Sequence, residues 1–238
     1  MRFIVVDTAD ARGSIAIFDE REVLSMEAHS SEEDYSSWLL PAVQRLLAKS
    51  SLSLAQLDGY AVCAGPGSFT GLRVGLTTVK AWAEIYGKPI AALSRLEALT
   101  MLQPDATFVA AYIDARRDQV FAALYERSGS ALEPLGEEAV ISLPDFAVVV
   151  REKSASKAVR WVTPDPALLK SGPSWPALLA AGHILQSTAP PFAPLLGVLA
   201  FRKFRQGQTT DALSLDANYV RRSDAEMLWK GNSSAFKA

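Results

Sequence analysis

A glycine-rich segment organises this 238-residue chain: Cys63-Ala-Gly-Pro-Gly-Ser-Phe-Thr-Gly-Leu-Arg-Val-Gly-Leu-Thr77. It follows an apolar run that predicts a strand, and it continues into a pattern that predicts a helix over residues 71–86. Glycines allow tight turns, and the first turn of a helix presents unpaired N–H groups. The segment is therefore a candidate anion-binding loop. The candidate contacts within it are Gly67, Ser68, Thr70 and Arg73.

The loop matches neither of two common nucleotide-binding motifs. A P-loop requires a Lys directly after its last Gly, and Leu72 follows Gly71 here. The dinucleotide-binding fingerprint requires Gly-x-Gly-x-x-Gly, and the third Gly stands one position late. Gly71 and Gly75 share one helix face, which allows another helix to approach closely. We favour a packing or dimerisation face over a phosphate cradle, and both interpretations stay open at this point.

The composition is that of a globular protein without a strong affinity of its own for nucleic acid. Hydrophobic residues make up 49% of the chain, and its formal net charge is -2. Lys and Arg that neutralise phosphates supply most non-specific binding to nucleic acid, so a tRNA contact would require a complex. The only cysteine, Cys63, predicts a buried side chain and no internal disulfide. No apolar run reaches the roughly 20 residues of a membrane helix, and we expect a cytoplasmic protein.

An apolar strand that ends on a carboxylate occurs twice in the chain. The first strand ends at Asp7 and the second at Asp114, and each is followed by a turn containing Ala-Arg and by another apolar strand. Repetition over this length indicates duplication of a whole α/β unit. The sequence therefore predicts two α/β lobes, residues 1–104 and a reduced second lobe of residues 105–192. A helix over residues 193–206 is expected to return to the first lobe, and residues 207–238 form a tail.

Four short segments carry a resemblance to a known family. They are Asp7-Thr-Ala, Gly65-Pro-Gly-Ser-Phe-Thr-Gly-Leu-Arg73, Ile113-Asp-Ala-Arg116 and Asn218-Tyr-Val-Arg221. In their order and spacing they resemble the TsaB, or YeaZ, family of the glycoprotease-like branch of the actin-like ATPase superfamily. The resemblance implies a two-lobe actin-like fold, related to ribonuclease H, with a reduced second lobe. One position departs from the family pattern, because Tyr35 stands where the family often has His.

The resemblance implies a non-catalytic scaffold subunit. Proteins similar to this one pair with a catalytic paralogue, TsaD, and with a small ATPase, TsaE. The complex transfers a threonylcarbamoyl group to N6 of adenine 37 in tRNAs that read codons beginning with A. Such proteins form homodimers alone and use the same helical face for TsaD. ATP or ADP with Mg²⁺ would then bind at the interface of the complex.

We expect that face on the predicted helices of residues 35–49 and 71–86. Its apolar residues would bury enough area for a stable dimer. A Gly75→Trp substitution would accordingly leave the monomer folded and abolish association. The candidate interface residues are Trp38, Leu39, Val43, Gly71, Gly75, Val79 and Trp82.

Two other functions stay open. In actin-like kinases, a carboxylate at the end of the first strand of each lobe holds hydrated Mg²⁺, so Asp7 and Asp114 would serve a stand-alone Mg-ATPase or small-molecule kinase. We favour the alternative that both side chains cap their hairpin turns. A glycoprotease-type peptidase lacks a zinc or nucleophile motif here. The two histidines, His29 and His183, are far apart in sequence, which excludes a two-histidine metal site on one helix.

Overall fold

The computed structural model of the chain describes residues 1–30, 33–129 and 131–220. Arg221, which ends the fourth matching segment, and the rest of the predicted tail after it lie outside these residues. The described residues form two β-sheets with helices packed on them. None of the helices in this part of the chain combines the length and apolarity needed to cross a membrane.

The first sheet contains five strands, β1 (Arg2–Asp7), β2 (Ser14–Asp19), β3 (Glu22–Ala28), β4 (Gly59–Gly65) and β5 (Ile90–Ser94). Their order is β3-β2-β1-β4-β5. β1 to β3 form an antiparallel meander, and β1, β4 and β5 run parallel. β1 and β4 are apolar and buried along most of their length, as strands covered on both faces are.

Three long helices cover this sheet: α1 (Tyr35–Lys49), α2 (Phe69–Tyr86) and α7 (Ala193–Arg205). α1 and α2 contact each other, and Trp82 of α2 packs against the Tyr60 ring of β4. α7 contacts β1, β2, β4 and β5. α2 begins at Phe69 because the Ser68 side chain accepts a hydrogen bond from Gly71 N, and it ends at Gly87, which is left-handed (φ 61°).

The second sheet contains six strands, β6 (Phe108–Arg116), β7 (Gln119–Ser128), β8 (Ala131–Pro134), β9 (Ala139–Ile141), β10 (Arg160–Thr163) and β11 (Ile184–Ser187). Their order is β11-β10-β6-β7-β8, and β9 also pairs with β7. Read from the other edge, this order reproduces that of the first sheet, with an antiparallel meander followed by parallel strands. The repeated topology confirms the predicted fold class of two related α/β lobes.

Short helices complete the second lobe and join it to the first. α4 (Leu143–Lys153), α5 (Pro166–Lys170) and α6 (Trp175–Ala180) follow the meander. Each has a proline in its first two positions, where the missing N–H has no intrahelical partner to lose. α3 (Arg95–Thr100) contacts β4 and β5 of the first sheet and β6, β7 and β10 of the second. One hydrophobic core therefore continues from the first lobe into the second.

Candidate functional site

A cleft of about 830 Å³ lies between the lobes, where β1 and β6 end. Ligands of α/β sheets commonly bind beyond the carboxyl ends of the strands. The cleft is bounded by the turn after β1, the glycine-rich loop, the turn after β6 and the segment 218–220. Its charged lining residues are Asp10, Arg12, Arg95, Asp114, Arg116, Arg117 and Asp165.

The glycine-rich loop packs directly against the turn that follows β1. Ser68 N donates to Ala9 O at 2.6 Å, and Thr8 Oγ1 donates to Gly71 O at 2.7 Å. A Cβ atom on Gly71 would collide with the Thr8 carbonyl, and one on Gly75 would collide with the Thr8 hydroxyl. The predicted close approach at Gly71 and Gly75 is therefore real, but the neighbour is Thr8 of the same chain. The prediction that Gly75→Trp leaves the monomer folded disagrees with this packing, because a site where even a Cβ meets the Thr8 hydroxyl has no room for an indole.

The predicted anion contacts of the loop are only partly brought together. Gly67 and Ser68 line the cleft, whereas Thr70 and Arg73 are not among its lining residues. The Ser68 hydroxyl serves as the cap of α2. The Arg73 guanidinium lies 3.8 Å from the centre of the Phe69 ring, and its Nε donates to the Tyr219 hydroxyl at 3.3 Å. Arg73 thus holds the segment after α7 against the start of α2.

Asp7 and Asp114 cap the turns that follow their strands. Asp7 Oδ1 accepts from Ala9 N at 3.1 Å, and Asp114 Oδ1 accepts from Arg116 N at 2.7 Å. Both carboxylates thus make the backbone hydrogen bonds that the turn-capping interpretation predicts. Asp114 lines the cleft and is also paired with the Arg116 guanidinium at 3.1 Å. Asp7 is fully buried and is not among the residues that line the cleft.

Arg95 is a site residue that the sequence reasoning missed. It is the first residue of α3, and its side chain is 2% exposed. Its NH2 lies 3.3 Å from Asp7 Oδ2, and its NH1 lies 2.7 Å from Asp10 Oδ2. A basic residue in the first turn of a helix is disfavoured by the helix dipole. That position was the one available signal that Arg95 has acidic partners elsewhere in the fold.

The two carboxylates respond differently to their surroundings. Burial raises the pKa of Asp7, and the positive charge of Arg95 offsets only part of that shift. Burial also acts to raise the pKa of Asp10, but the charge and hydrogen bond of Arg95, together with the charge and backbone N–H of Arg12, outweigh it and leave the pKa lowered. Over the described residues, no group of three or more His, Cys, Asp or Glu side chains is placed to hold a metal ion.

A partly buried carboxylate, Glu138, ties the lobes to the segment after α7. Glu138 accepts hydrogen bonds from the hydroxyls of Ser94 and Tyr125 and, at 2.6 Å, from Asn218 Nδ2. Asn218 N in turn donates to Ala64 O at 2.8 Å. Burial raises the pKa of Glu138. No sequence pattern identified Glu138, because its partners Ser94, Tyr125 and Asn218 lie on separate elements that only the fold brings together.

The predicted interface residues lie in the core of the monomer. The apolar residues of α1 and α2 repeat at the helical period, so they lie on one face of each helix. That face packs against the first sheet of the same chain. The prediction that these side chains form an exposed docking face is therefore wrong for this structure. Other apolar side chains of the same helices are exposed, among them Leu40 (52%) and Ile85 (71%). The buried set is Trp38, Leu39, Val43, Gly71, Gly75, Val79 and Trp82.

Tyr35 anchors the start of α1 to the turn after β1. Its hydroxyl accepts from Gly13 N at 2.8 Å and donates to Asp10 O. Its ring stacks on His29 at 4.1 Å between centroids. Burial raises the pKa of Tyr35 above its usual value. Tyr35, which stands where the family often has histidine, therefore bonds the backbone of the turn after β1 at Asp10 and Gly13.

The duplicated topology and the cleft where the equivalent strands end define a two-lobed α/β protein of the actin-like class. The family model for TsaD, tRNA N6-adenosine threonylcarbamoyltransferase, matches residues 22–170. The chain belongs to this family and, within it, to the TsaB, or YeaZ, group. It is 29% identical to the tRNA threonylcarbamoyladenosine biosynthesis protein TsaB of Bacillus subtilis, over 96% of this chain and 98% of that protein.

Two further comparisons agree with this assignment. TsaB of Escherichia coli is 29% identical over 97% of both chains. The solved structure of YeaZ from Pseudomonas aeruginosa is 26% identical and superposes with a TM-score of 0.69, covering 92% of this chain and 99% of that one. The similarity therefore spans nearly the whole chain, including both lobes.

Proposed function

We propose that this protein is a non-catalytic accessory subunit in the synthesis of threonylcarbamoyladenosine on tRNA. The names of its full-length relatives support the pathway. The observation that carries the accessory role is the Asp7–Arg95–Asp10 group. Asp7, the first-lobe counterpart of a kinase carboxylate, is buried and paired inside the protein rather than facing the cleft. The catalytic work would therefore belong to a paralogue of the TsaD type.

The outward faces of α1 and α2 are the proposed docking surface for that paralogue. Leu40 of α1 and Ile85 of α2 expose more than half of their side chains, and Tyr86 of α2 is also exposed. Exposed apolar side chains that form one patch mark interaction surfaces, whereas single scattered ones are ordinary. The same surface would form a homodimer in the absence of the paralogue. A TsaE-type ATPase and tRNA would join only through the complex, and ATP or ADP with Mg²⁺ would bind at its interface.

Co-purification with a TsaD-type protein tests the docking surface. Ile85→Glu places a charge in the proposed contact, and we expect affinity to fall by at least about thirtyfold, the effect of losing a hot-spot residue. Leu179→Glu is the matched control, because Leu179 is 57% exposed on α6 of the second lobe. Both variants should remain folded. Equal loss in both, or no loss in Ile85→Glu, would contradict the proposed surface.

One observation favours a Mg-ATPase or kinase as the second candidate function. The cleft is large enough for a small ligand, and Asp114 lines it. Calorimetry with Mg-ATP separates the two functions, since an enzyme of this kind would show binding and turnover that Asp114→Asn reduces. An accessory subunit would show no turnover by the isolated chain. Both histidines contact backbone or indole groups in the structure, which gives the peptidase alternative no support.

A further inference from the structure

The Arg95 side chain is fixed on three sides. Its two terminal nitrogens contact different carboxylates, Asp7 and Asp10. The face of its guanidinium lies 4.7 Å from the centre of the Phe192 ring, at the start of α7. A planar guanidinium suits such a position, because it bonds carboxylates in its plane and stacks on an aromatic face. Arg95 therefore has one well-defined position between the two acids.

The charges around Arg95 balance without another ion. Asp7 is fully buried, and the Asp10 side chain is 26% exposed. Arg95 contacts both acids, and Arg12 adds a second positive charge 3.7 Å from Asp10. Two carboxylates and two guanidiniums sum to zero. Buried carboxylates persist as ions only when they are paired, and here the protein supplies the pairing itself.

A divalent metal ion at these acids would encounter two obstacles. It would lie beside the fixed positive charge of Arg95, and like charges repel strongly in a region of low dielectric constant. Mg²⁺ also keeps several water ligands in a near-octahedral shell. Asp7 has no exposed surface and does not line the cleft, whereas Arg95 lines the cleft and contacts Asp7 Oδ2, so the Arg95 side chain stands between this carboxylate and a hydrated ion. The carboxylates of the first lobe thus do not fit the Mg²⁺ site that an actin-like kinase would need.

We infer that Arg95 is the resident cation of the first lobe, bridging Asp7 and Asp10 where a divalent ion would otherwise neutralise them. Any anionic ligand of the cleft is then bound without a metal bridge to these two acids. This conclusion goes beyond the proposed function, since it concerns the isolated chain and holds whether or not a paralogue binds α1 and α2.

Mn²⁺ binding, followed by the loss of the electron paramagnetic resonance signal of the free ion, tests the inference. The variant Arg95→Met keeps the apolar stem and removes the charge. We expect it to bind Mn²⁺ at least about tenfold more tightly than the wild type. The double variant Arg95→Met/Asp7→Asn should lose that gain, and Arg95→Lys, which retains a cation, should bind as weakly as the wild type. Circular dichroism checks that each variant is folded.

Each outcome decides the inference. A folded Arg95→Met protein that binds Mn²⁺ no better than the wild type would overturn it. Wild-type binding that Asp7→Asn abolishes would overturn it as well, because the native acids would then already accept a metal. If Arg95→Met does not fold, the inference is tested by comparing Mn²⁺ binding of the wild type with that of Asp7→Asn. Equally weak Mn²⁺ binding by both supports a resident Arg95 cation.

Discussion

Substituting Gly75 by alanine is the most informative perturbation of the glycine-rich loop. The new Cβ would collide with Thr8 Oγ1 and would lie 3.5 Å from Val6 Cγ1 and 3.6 Å from Val62 Cγ2. The valine contacts are ordinary, so the conflict is confined to one hydroxyl. That hydroxyl donates to Gly71 O and is buried. To make room it must rotate away, which breaks its hydrogen bond to Gly71 O and leaves the buried Thr8 hydroxyl without that partner.

Two opposing effects set the magnitude. Alanine stabilises a helix interior by about 1 kcal/mol relative to glycine. Overpacking costs about 1–3 kcal/mol. Leaving a buried polar group unpaired costs about another 1–3 kcal/mol. We therefore expect Gly75→Ala to lower the free energy of unfolding by about 1–5 kcal/mol. Without the contact to Thr8, the same substitution would raise it.

Urea unfolding followed by circular dichroism and tryptophan fluorescence measures the change. A loss of this size should lower the midpoint by about 0.5–2 M at unchanged slope. The matched control is a second substitution at Thr8. Thr8→Ala removes the colliding hydroxyl, so the Thr8→Ala/Gly75→Ala protein should be more stable than the sum of the single losses predicts. Thr8→Ser keeps the hydroxyl and should give no such rescue.

One result would refute this reasoning. If Gly75→Ala is at least as stable as the wild type and only its self-association is impaired, the glycine face serves a second molecule rather than Thr8. That result would favour a contact between Gly75 and a second molecule over the contact between Gly75 and Thr8 in the monomer.

Two further predictions concern titratable groups whose pKa values are raised by burial. Because burial raises the pKa of Glu138, the folded state binds its proton more tightly than the unfolded chain, and the free energy of unfolding should fall as pH rises through the window between the two pKa values. Glu138→Gln should flatten that dependence in urea unfolding, and an unchanged slope would contradict it. Cys63 is fully buried and its pKa is raised well above the usual value, so a thiol reagent should label it only after unfolding. Rapid labelling of the folded protein would count against this packing.

Local patterns predicted most of the fold. Apolar runs ending at Asp7 and Asp114 indicated both first strands, and the repeat between them indicated the two lobes that the strand orders show. The helical period indicated α1 over its observed residues. These features depend on near neighbours in the chain, where the spacing of side chains decides the structure. The prolines at the start of α5 and α6 do not by themselves predict helices, because proline both breaks helices and begins them.

The candidate site was less predictable because its contacts join distant residues. The glycine pair at 71 and 75 signalled a close approach, but not that the neighbour would be Thr8. The apolar faces of α1 and α2 signalled burial, and the period alone does not distinguish the protein's own sheet from a partner. Arg95 meets Asp7 across 88 positions of sequence. Only the three-dimensional packing identifies that pair.

A tRNA modification assay with single components omitted tests the central claim most directly. The reaction would contain a TsaD-type protein, a TsaE-type ATPase, a threonylcarbamoyl donor system and tRNA. We predict that modification requires this chain and remains near the wild-type level with Asp114→Asn, because an accessory subunit contributes no reacting carboxylate. Modification that proceeds equally well without the chain, or that is abolished by folded Asp114→Asn protein, would contradict the account.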